Sequence, residues 1–112
     1  GDPSTADPKT PINEYGKGGF IDGESGKVRY IPLEIKLKSE EIPRYGETIK
    51  ANLMDKIELT HKRGSLSMAR SEELNSASTQ FYISLRSLPE LDGRYSVFGK
   101  VVSGISFFEL IE

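Results

Sequence analysis

Three short apolar runs in the second half of the chain alternate with breaks that are rich in Gly, Ser, Asn and Asp. The runs lie at 66–69, 80–85 and 95–102, and an Asp-Gly pair at 92–93 precedes the last of them. Runs of this length, bounded by turn residues, are typical of short antiparallel strands. The pattern therefore predicts a small, mainly β domain with three strands in this half of the chain.

The first half of the chain contains more loop and one clear strand pattern. Residues 1–19 hold three prolines and four glycines, and we predict a flexible surface loop because Pro removes a backbone donor and Gly weakens strand interiors. Residues 20–32 predict a hairpin or paired loop, and 33–38 alternate apolar and charged side chains as a half-buried strand does. The Pro-Arg-Tyr-Gly segment at 43–46 predicts a turn.

Helical spacing of apolar residues occurs in two places. It predicts a short helix or helical turns at 48–59 and the first turns of a helix at 105–112. The single histidine, His61, is followed by Lys62 and Arg63. With no second histidine and no base or nucleophile pattern beside it, His61 is predicted to be a surface residue rather than a catalytic one.

Composition sets limits on the class of protein. A chain of 112 residues has room for one domain with one core. The net charge of −2 argues against a nucleic-acid interface, which needs a concentrated Lys/Arg surface. Without cysteine there is neither a disulfide nor a Cys-ligated metal, and the sequence predicts no cofactor, no metal site and no membrane insertion.

Five short motifs follow one another along the chain. They are Gly-Asp-Pro at 1–3, Ile-Pro-Leu-Glu at 31–34, Gly-Ser-Leu-Ser-Met-Ala at 64–69, Gln-Phe-Tyr-Ile at 80–83, and Leu-Asp-Gly continuing to Phe-Gly-Lys-Val at 91–101. Any one of these motifs alone would be a weak signal. Together and in this order, they closely resemble the cyclophilin family of peptidyl-prolyl cis-trans isomerases.

A second set of residues, at 19–46, indicates a subgroup within the family. Gly-Phe-Ile-Asp, Ile-Pro-Leu-Glu-Ile and Pro-x-Tyr-Gly are similar to the longer insert of plastid and thylakoid-lumen cyclophilins, which implies a chloroplast or thylakoid-lumen location. We expect one partial domain at 1–112. Within it, 1–19 is loop, 20–62 is hairpin, strand and insert, and 63–112 carries the motif-bearing strands and the start of a C-terminal helix.

The resemblance implies a fold and a reaction. The fold is an eight-stranded antiparallel β-barrel capped by two helices, truncated here at both ends, with a shallow groove for the proline ring. The family's Phe-His-Arg segment, whose Arg is the expected donor to the prolyl nitrogen, is expected upstream of Gly1. The reaction is cis–trans isomerisation of X-Pro bonds in polypeptides, which assists protein folding, although a fragment without that Arg is expected to have little activity alone.

The task of such a catalyst follows from amide resonance, which gives the X-Pro bond a barrier of about 20 kcal/mol. The site must bind the twisted imide more tightly than either planar ground state. Carried over by position, Gln80 is the catalytic amide that hydrogen-bonds the rotating segment. The implied substrate-binding residues fall into three groups. Met68, Tyr82 and Leu91 form an apolar socket. Ala69 and Arg70 form its rim, and Tyr95 lies at its edge.

A plainer interpretation exists for the apolar members of this set. From the residues alone, Met68, Tyr82 and Leu91 would be ordinary packing residues of a β domain, and the resemblance leaves Phe81 in the core. A structural β domain with accidental motif overlap is the corresponding alternative function.

Departures from the family pattern leave a further alternative open. Glu90 stands where the family usually has Trp, which argues against cyclosporin binding. Tyr82 replaces a usual Phe, so its hydroxyl needs water or a protein partner, and Tyr95 stands where His is common. The alternative function is a non-catalytic, proline-peptide-binding or chaperone-like module.

Overall fold

A computed structural model of the protein describes residues 1–111. Two small antiparallel sheets form the framework. The five strands and the α-helix are β1 (Glu34–Ile35), β2 (Arg44–Tyr45), β3 (Ser65–Met68), β4 (Phe81–Ile83), β5 (Val97–Lys100) and α1 (Ile105–Ile111). Four 3₁₀ helices of the described part lie in the connections, at Pro3–Ala6, Ile12–Glu14, Ala51–Lys56 and Pro89–Leu91. No helix within residues 1–111 has the length and apolar character needed to cross a bilayer.

The larger sheet is built around β3, which pairs with β4 on one side and with β5 on the other, both antiparallel. Ser67 lies opposite Tyr82 of β4 and opposite Val97 of β5. The register to β5 shifts between Leu66 and Ser67, and such irregularities bend a strand and increase its twist. The centre of this sheet is closely packed, since Ser67 has no exposed surface.

The hydrophobic core lies under the smaller sheet. Alternate residues of the 33–38 strand pattern, Leu33, Ile35 and Leu37, pack together with Ile49 and Ile57. The charged residues between them face outward or are half-buried, so the period-two pattern correctly predicted the buried face. Partly buried side chains complete the cluster, namely Leu53, Met54 and Leu74.

Gly93, the glycine of the Asp-Gly pair, packs directly against this core. Gly93 has φ +77°, and a Cβ at this position would lie 2.8 Å from Met54 Sδ and 3.1 Å from Ile49 Cβ. Its carbonyl oxygen accepts a hydrogen bond from the Ile49 amide at 3.0 Å. The core therefore holds the loop at 92–93 in place.

The predicted strands and helical turns are present, but the strands are shorter than the apolar runs that predicted them. The three strands predicted in the second half correspond to β3, β4 and β5. An isolated bridge between Ile21 and Val28 forms the predicted hairpin at 20–32. Helical turns at 48–59 take the form of a 3₁₀ helix, and α1 confirms the C-terminal helix as far as Ile111, while Glu112 lies outside the described residues.

Three predictions were wrong. The predicted turn at 43–46 contains β2, because Arg44 and Tyr45 pair with β1. His61, expected at the surface, is 1% exposed, since both ring nitrogens find polar partners inside the domain. Phe81, expected in the core, is 54% exposed, because it lies on the opposite face of β4 from Tyr82.

The close contact above the core makes Gly93 a test of the packing. We expect Gly93→Ala to lower the free energy of unfolding by about 3 kcal/mol, combining left-handed backbone strain with overpacking. Gly26→Ala is the matched control, because Gly26 has φ +68° but nothing within 4 Å of its Cβ position. It should cost only the strain, about 1 kcal/mol. Equal losses in urea unfolding would contradict the packing described here.

Candidate functional site

A shallow depression of about 290 Å³ lies beside β4 and the end of β3 in the larger sheet. Its lining consists of Ala69, Arg70, Tyr82, Leu91 and Tyr95. Ala69 and Arg70 follow β3, Tyr82 is the middle residue of β4, Leu91 ends the 3₁₀ helix Pro89–Leu91, and Tyr95 precedes β5. Three segments that are distant in sequence therefore converge on one concave surface.

Aromatic contacts fix the orientation of Tyr82 in this depression. The rings of Tyr82 and Tyr95 meet edge to face, with centroids 6.0 Å apart and planes at 85°. On the interior side, the Tyr82 and His61 rings are nearly parallel at 8°, with centroids 5.9 Å apart. Edge-to-face pairs at this distance are favourable beyond the area that they bury. The Tyr82 ring therefore lines the depression and also contacts the buried His61 ring.

A chain of hydrogen bonds runs from Tyr82 into the domain. The Tyr82 hydroxyl oxygen lies 2.7 Å from His61 Nε2, and His61 Nδ1 lies 2.8 Å from Asp92 Oδ1. The His61 backbone amide also donates to Asp92 Oδ1, at 2.7 Å. We name this set the Asp92–His61–Tyr82 chain. It joins three segments that are brought together only by folding.

The chemistry of the three groups determines the direction of these bonds. A carboxylate accepts only, so Nδ1 of His61 carries a hydrogen and donates it to Asp92. In the neutral imidazole, Nε2 then accepts, and the Tyr82 hydroxyl donates to it. Burial is the main cause that raises the pKa of Tyr82 to about 12. Tyr82 therefore keeps its hydrogen at neutral pH.

Arg70 forms the rim of the depression with its donors already engaged. Its Nη2 and Nε donate to the Arg94 carbonyl oxygen at 2.7 and 3.2 Å. Nη1 donates to the carbonyl oxygens of Ser71 at 2.9 Å and Glu72 at 3.3 Å. The guanidinium also lies over the Tyr95 ring, 4.5 Å from its centroid, a cation–π distance. Arg70 thus holds the loop at Arg94 and the Tyr95 ring in place.

Gln80 lies in a neighbouring cavity rather than in the depression. This cavity, of about 340 Å³, shares Ala69 and Arg70 with the depression and is walled on the far side by the loop at 16–19. Gln80 Nε2 donates to the Gly16 carbonyl oxygen at 2.7 Å. The two cavities are therefore adjacent, and the amide of Gln80 is held by the loop.

Asp2 organises that loop. Asp2 Oδ1 accepts from the Ser4 hydroxyl at 2.7 Å, and Oδ2 accepts from the Gly16 amide at 2.8 Å. A Cβ at Gly18 would lie 1.9 Å from Asp2 Oδ1, so the backbone approaches the carboxylate as only glycine allows. The Ser4 hydroxyl, followed by the Gly18 amide, lowers the pKa of Asp2 from 3.8 to about 2.

The structure brings together five of the seven predicted site residues around the depression. Gln80 lines the neighbouring cavity, which shares Ala69 and Arg70 with the depression. Met68, the remaining one, is half-buried at the end of β3, opposite Phe81, and does not line either cavity. Neither of the two residues behind Tyr82, His61 and Asp92, was predicted, because they are 31 positions apart and no local pattern links them.

The charged groups of the site do not form a metal centre. Within residues 1–111, no group of three or more His, Cys, Asp or Glu side chains has the arrangement needed to hold a metal ion. The exposed acidic residue beside the depression, Glu90, pairs instead with Arg86 at 3.1 Å. What this arrangement offers chemically is an aromatic and apolar concavity with hydrogen-bonding groups around it.

The profile of the cyclophilin-type peptidyl-prolyl cis-trans isomerase family matches residues 1–112. The chain belongs to this family. The resemblance deduced from the five motifs is thereby confirmed.

Individual relatives include proteins of photosynthetic organisms. A Synechocystis sp. protein, provisionally named a thylakoid lumen peptidyl-prolyl cis-trans isomerase, is 40% identical over 79% of this chain and 26% of its own length. The chloroplastic isomerase CYP38 of Arabidopsis thaliana is 36% identical over 92% of this chain and 25% of its own. The Helicobacter pylori isomerase is 43% identical over 46% of this chain and 32% of its own. The chain spans about a quarter of the length of the first two relatives.

Removing the carboxylate of Asp92 tests the hydrogen-bond chain. Asp92→Ala leaves the His61 amide and Nδ1 without their acceptor in a buried site, so we expect the free energy of unfolding to fall by about 2 kcal/mol. Asp7→Ala is the control, because the Asp7 carboxylate accepts from the nearby Lys9 amide in an exposed loop and the backbone bond to Thr10 is unaffected by the substitution. That change should stay within about 0.5 kcal/mol. Similar values for both variants in urea unfolding would refute the structural role of Asp92.

The lowered pKa of Asp2 gives the loop at 1–19 an acid dependence. Because this pKa is lower in the folded loop than in the unfolded chain, the stabilisation is complete above about pH 4 and is lost as the pH falls through about 2. Amide hydrogen exchange at Gly16, followed from pH 5 to about pH 1.5 and corrected for intrinsic rates, should show the loop opening in this window. Asp2→Asn should abolish the step; a step that survives in Asp2→Asn would disprove the assignment.

Proposed function

We propose that the chain is the substrate-binding part of a peptidyl-prolyl cis-trans isomerase that acts on X-Pro bonds of polypeptides and assists their folding. The observation that carries the proposal is the convergence of Ala69, Arg70, Tyr82, Leu91 and Tyr95 around one depression, in a chain that belongs to the cyclophilin family. An apolar concavity with an aromatic floor suits a pyrrolidine ring, since ligand sites are mostly apolar with few polar groups.

Within this proposal, each site residue has a role. Tyr82 and Leu91 hold the proline ring, Met68 supports the socket from the end of β3, and Tyr95 forms the edge. Ala69 and Arg70 line both cavities, which supports a substrate backbone that runs across this shared rim. Gln80 is the proposed catalytic amide: one N–H of its Nε2 donates to the Gly16 carbonyl oxygen, and the second N–H is the donor proposed for the rotating segment.

The catalytic requirement is to favour the twisted imide over both planar isomers. The socket restrains the proline ring, so rotation occurs in the segment that precedes it. As conjugation is lost, the lone pair returns to the prolyl nitrogen, so a hydrogen bond to that nitrogen gains strength, whereas a donor to the carbonyl oxygen serves to hold that group while it turns. A donor amide at the rim, the role proposed for Gln80, fits this step.

A second candidate function is a proline-peptide-binding or chaperone-like module without turnover. Its supporting observation is that Arg70, on the shared rim, and Gln80, in the neighbouring cavity, already donate to backbone carbonyl oxygens. The N–H groups that make these bonds reach a prolyl nitrogen only if they give up those carbonyl oxygens. Glu90 in place of the usual aromatic wall, exposed beside the depression, supports a reshaped socket, and we propose that cyclosporin does not bind.

We further propose that the two sheets are parts of the family's closed β-barrel with capping helices, in a single domain over residues 1–112. Large exposed apolar side chains on the larger sheet and on α1 support this, among them Phe81, Phe98, Phe107 and Leu110, because the missing parts of a closed barrel would cover such side chains. The names of the Synechocystis and Arabidopsis relatives support a thylakoid-lumen or chloroplast location.

Two-dimensional exchange NMR on an Ala-Pro peptide tests the isomerase proposal. We expect the chain alone to bind the peptide and to raise the cis/trans exchange rate only slightly, in line with the little activity expected without the family's Arg, and Leu91→Ala to weaken peptide binding about tenfold through lost apolar contact. Ile42→Ala is the control, because Ile42 is 74% exposed and lies outside both cavities. Saturable binding without faster exchange would favour the binding module, and no binding at all would refute both functions.

A further inference from the structure

A third cavity continues the concave surface that carries the proposed binding residues. It has a volume of about 510 Å³ and is lined by two segments that are distant in sequence. Three residues of its lining, Tyr30, Ser71 and Ser76, also line the neighbouring cavity. The neighbouring cavity in turn shares Ala69 and Arg70 with the depression. The depression and the two cavities therefore form one continuous track across the surface.

The lining of the third cavity combines one carboxylate with apolar surface. Glu73 is the only charged residue of this lining, and its carboxylate forms no ion pair with another residue of 1–111. Tyr30, which is 57% exposed, and the half-buried Leu74 contribute an aromatic ring and an aliphatic side chain. A long cationic side chain matches this lining, because its methylene groups cover apolar surface while its charged end meets a carboxylate or an aromatic face.

Hydrogen bonds hold the loop that carries Glu73 in place. The Ser76 hydroxyl donates to the Glu73 carbonyl oxygen at 2.6 Å, and the Ser71 hydroxyl donates to Ser76 Oγ at 2.8 Å. Asn75 Oδ1 accepts a hydrogen bond from the Leu33 amide at 3.1 Å, which joins the loop to the segment that forms the opposite wall. Because the walls are already fixed in the free chain, a ligand does not have to order them.

We propose that the third cavity binds a lysine or arginine side chain of the substrate, at a position upstream of the proline. This inference rests on the proposed function, because it extends the bound peptide from the depression along the track. It defines the substrate class as polypeptides in which a basic residue lies on the N-terminal side of the X-Pro bond.

The direction of the peptide follows from the roles proposed at the rim. The proline ring lies in the depression and the residue before it crosses the rim at Ala69 and Arg70, so the peptide enters the neighbouring cavity toward its own N-terminus. One residue then lies on the rim and the next in the neighbouring cavity. The third cavity is therefore reached by the third residue before proline or by one further upstream.

Charge distinguishes the third cavity from the neighbouring one. The neighbouring cavity is lined by Lys17 and Arg70 and by no acidic residue, so a basic side chain of the peptide finds no counter-charge there. Glu73 supplies that counter-charge in the third cavity. A basic residue is thus favoured only at the positions that reach Glu73. General attraction between a basic peptide and a chain of net charge −2 would not depend on position in this way.

A series of proline peptides tests the inference. Each synthetic peptide contains one Ala-Pro pair, and a single lysine replaces glutamine at successive positions upstream of it. We expect lysine to tighten binding about threefold to tenfold at the third position before proline or just beyond it, as one exposed ion pair with an aromatic contact allows. Added salt should reduce this gain. The dissociation constants are measured by NMR titration of the wild-type chain.

Two adjacent glutamates provide a matched pair of variants. Glu73→Gln removes the charge from the cavity with almost no change in size, and it should abolish the gain from lysine. Glu72→Gln is the control, because Glu72 is also exposed but lines neither the depression nor either cavity; it should retain the gain. An equal loss in the two variants would overturn the proposal. Glu73→Lys should reverse the preference, so that glutamate at the favoured position binds more tightly than lysine.

The outcomes separate this inference from the proposed function. Peptides that bind with the same affinity wherever the lysine lies would leave the proposed function in place and refute a site for a basic side chain. Absence of binding by every peptide, a minimal Ala-Pro peptide included, would refute the proposed function and this inference with it.

Discussion

The pairing of β3 with strands on both sides is the constraint on which the rest of this molecule depends. One side brings Tyr82 next to the end of β3, and the other fixes the segment that carries Leu91, Asp92 and Tyr95. The core under the smaller sheet anchors the same segment through the contacts at Gly93. A central strand and a sealed core therefore determine together where the depression forms, because each restrains a different end of the segment at 91–97.

Much of this arrangement could be predicted from the sequence. Periodicity located the strands and the buried face of 33–38, because alternation is a local signal that burial preserves. The ordered motifs indicated the family, which the match over the whole chain confirms, and five of the residues assigned by resemblance line one depression. Their roles in binding remain a prediction, since convergence in space does not measure affinity.

What the sequence did not indicate depends on contacts between distant segments. A histidine beside Lys62 and Arg63 looks like part of a charged turn, and only the fold brings Asp92 and Tyr82 to its ring nitrogens. The exposure of Phe81 likewise depends on which face of β4 is covered, which an isolated apolar run does not reveal. The pairing of Arg44 and Tyr45 with β1 overrides the turn signal of the flanking Pro and Gly.

The bond from Gln80 to the Gly16 carbonyl has a thermodynamic consequence. A ligand that recruits the N–H bonded to Gly16 competes with the chain's own backbone, so its apparent dissociation constant equals the intrinsic one divided by the fraction of molecules in which that N–H is free. Linkage requires the reverse as well: such a ligand shifts the loop at 1–19 toward conformations without this bond by the same factor. For such a ligand the loop is an intramolecular competitor, and the stability of the loop sets the concentration at which the ligand binds.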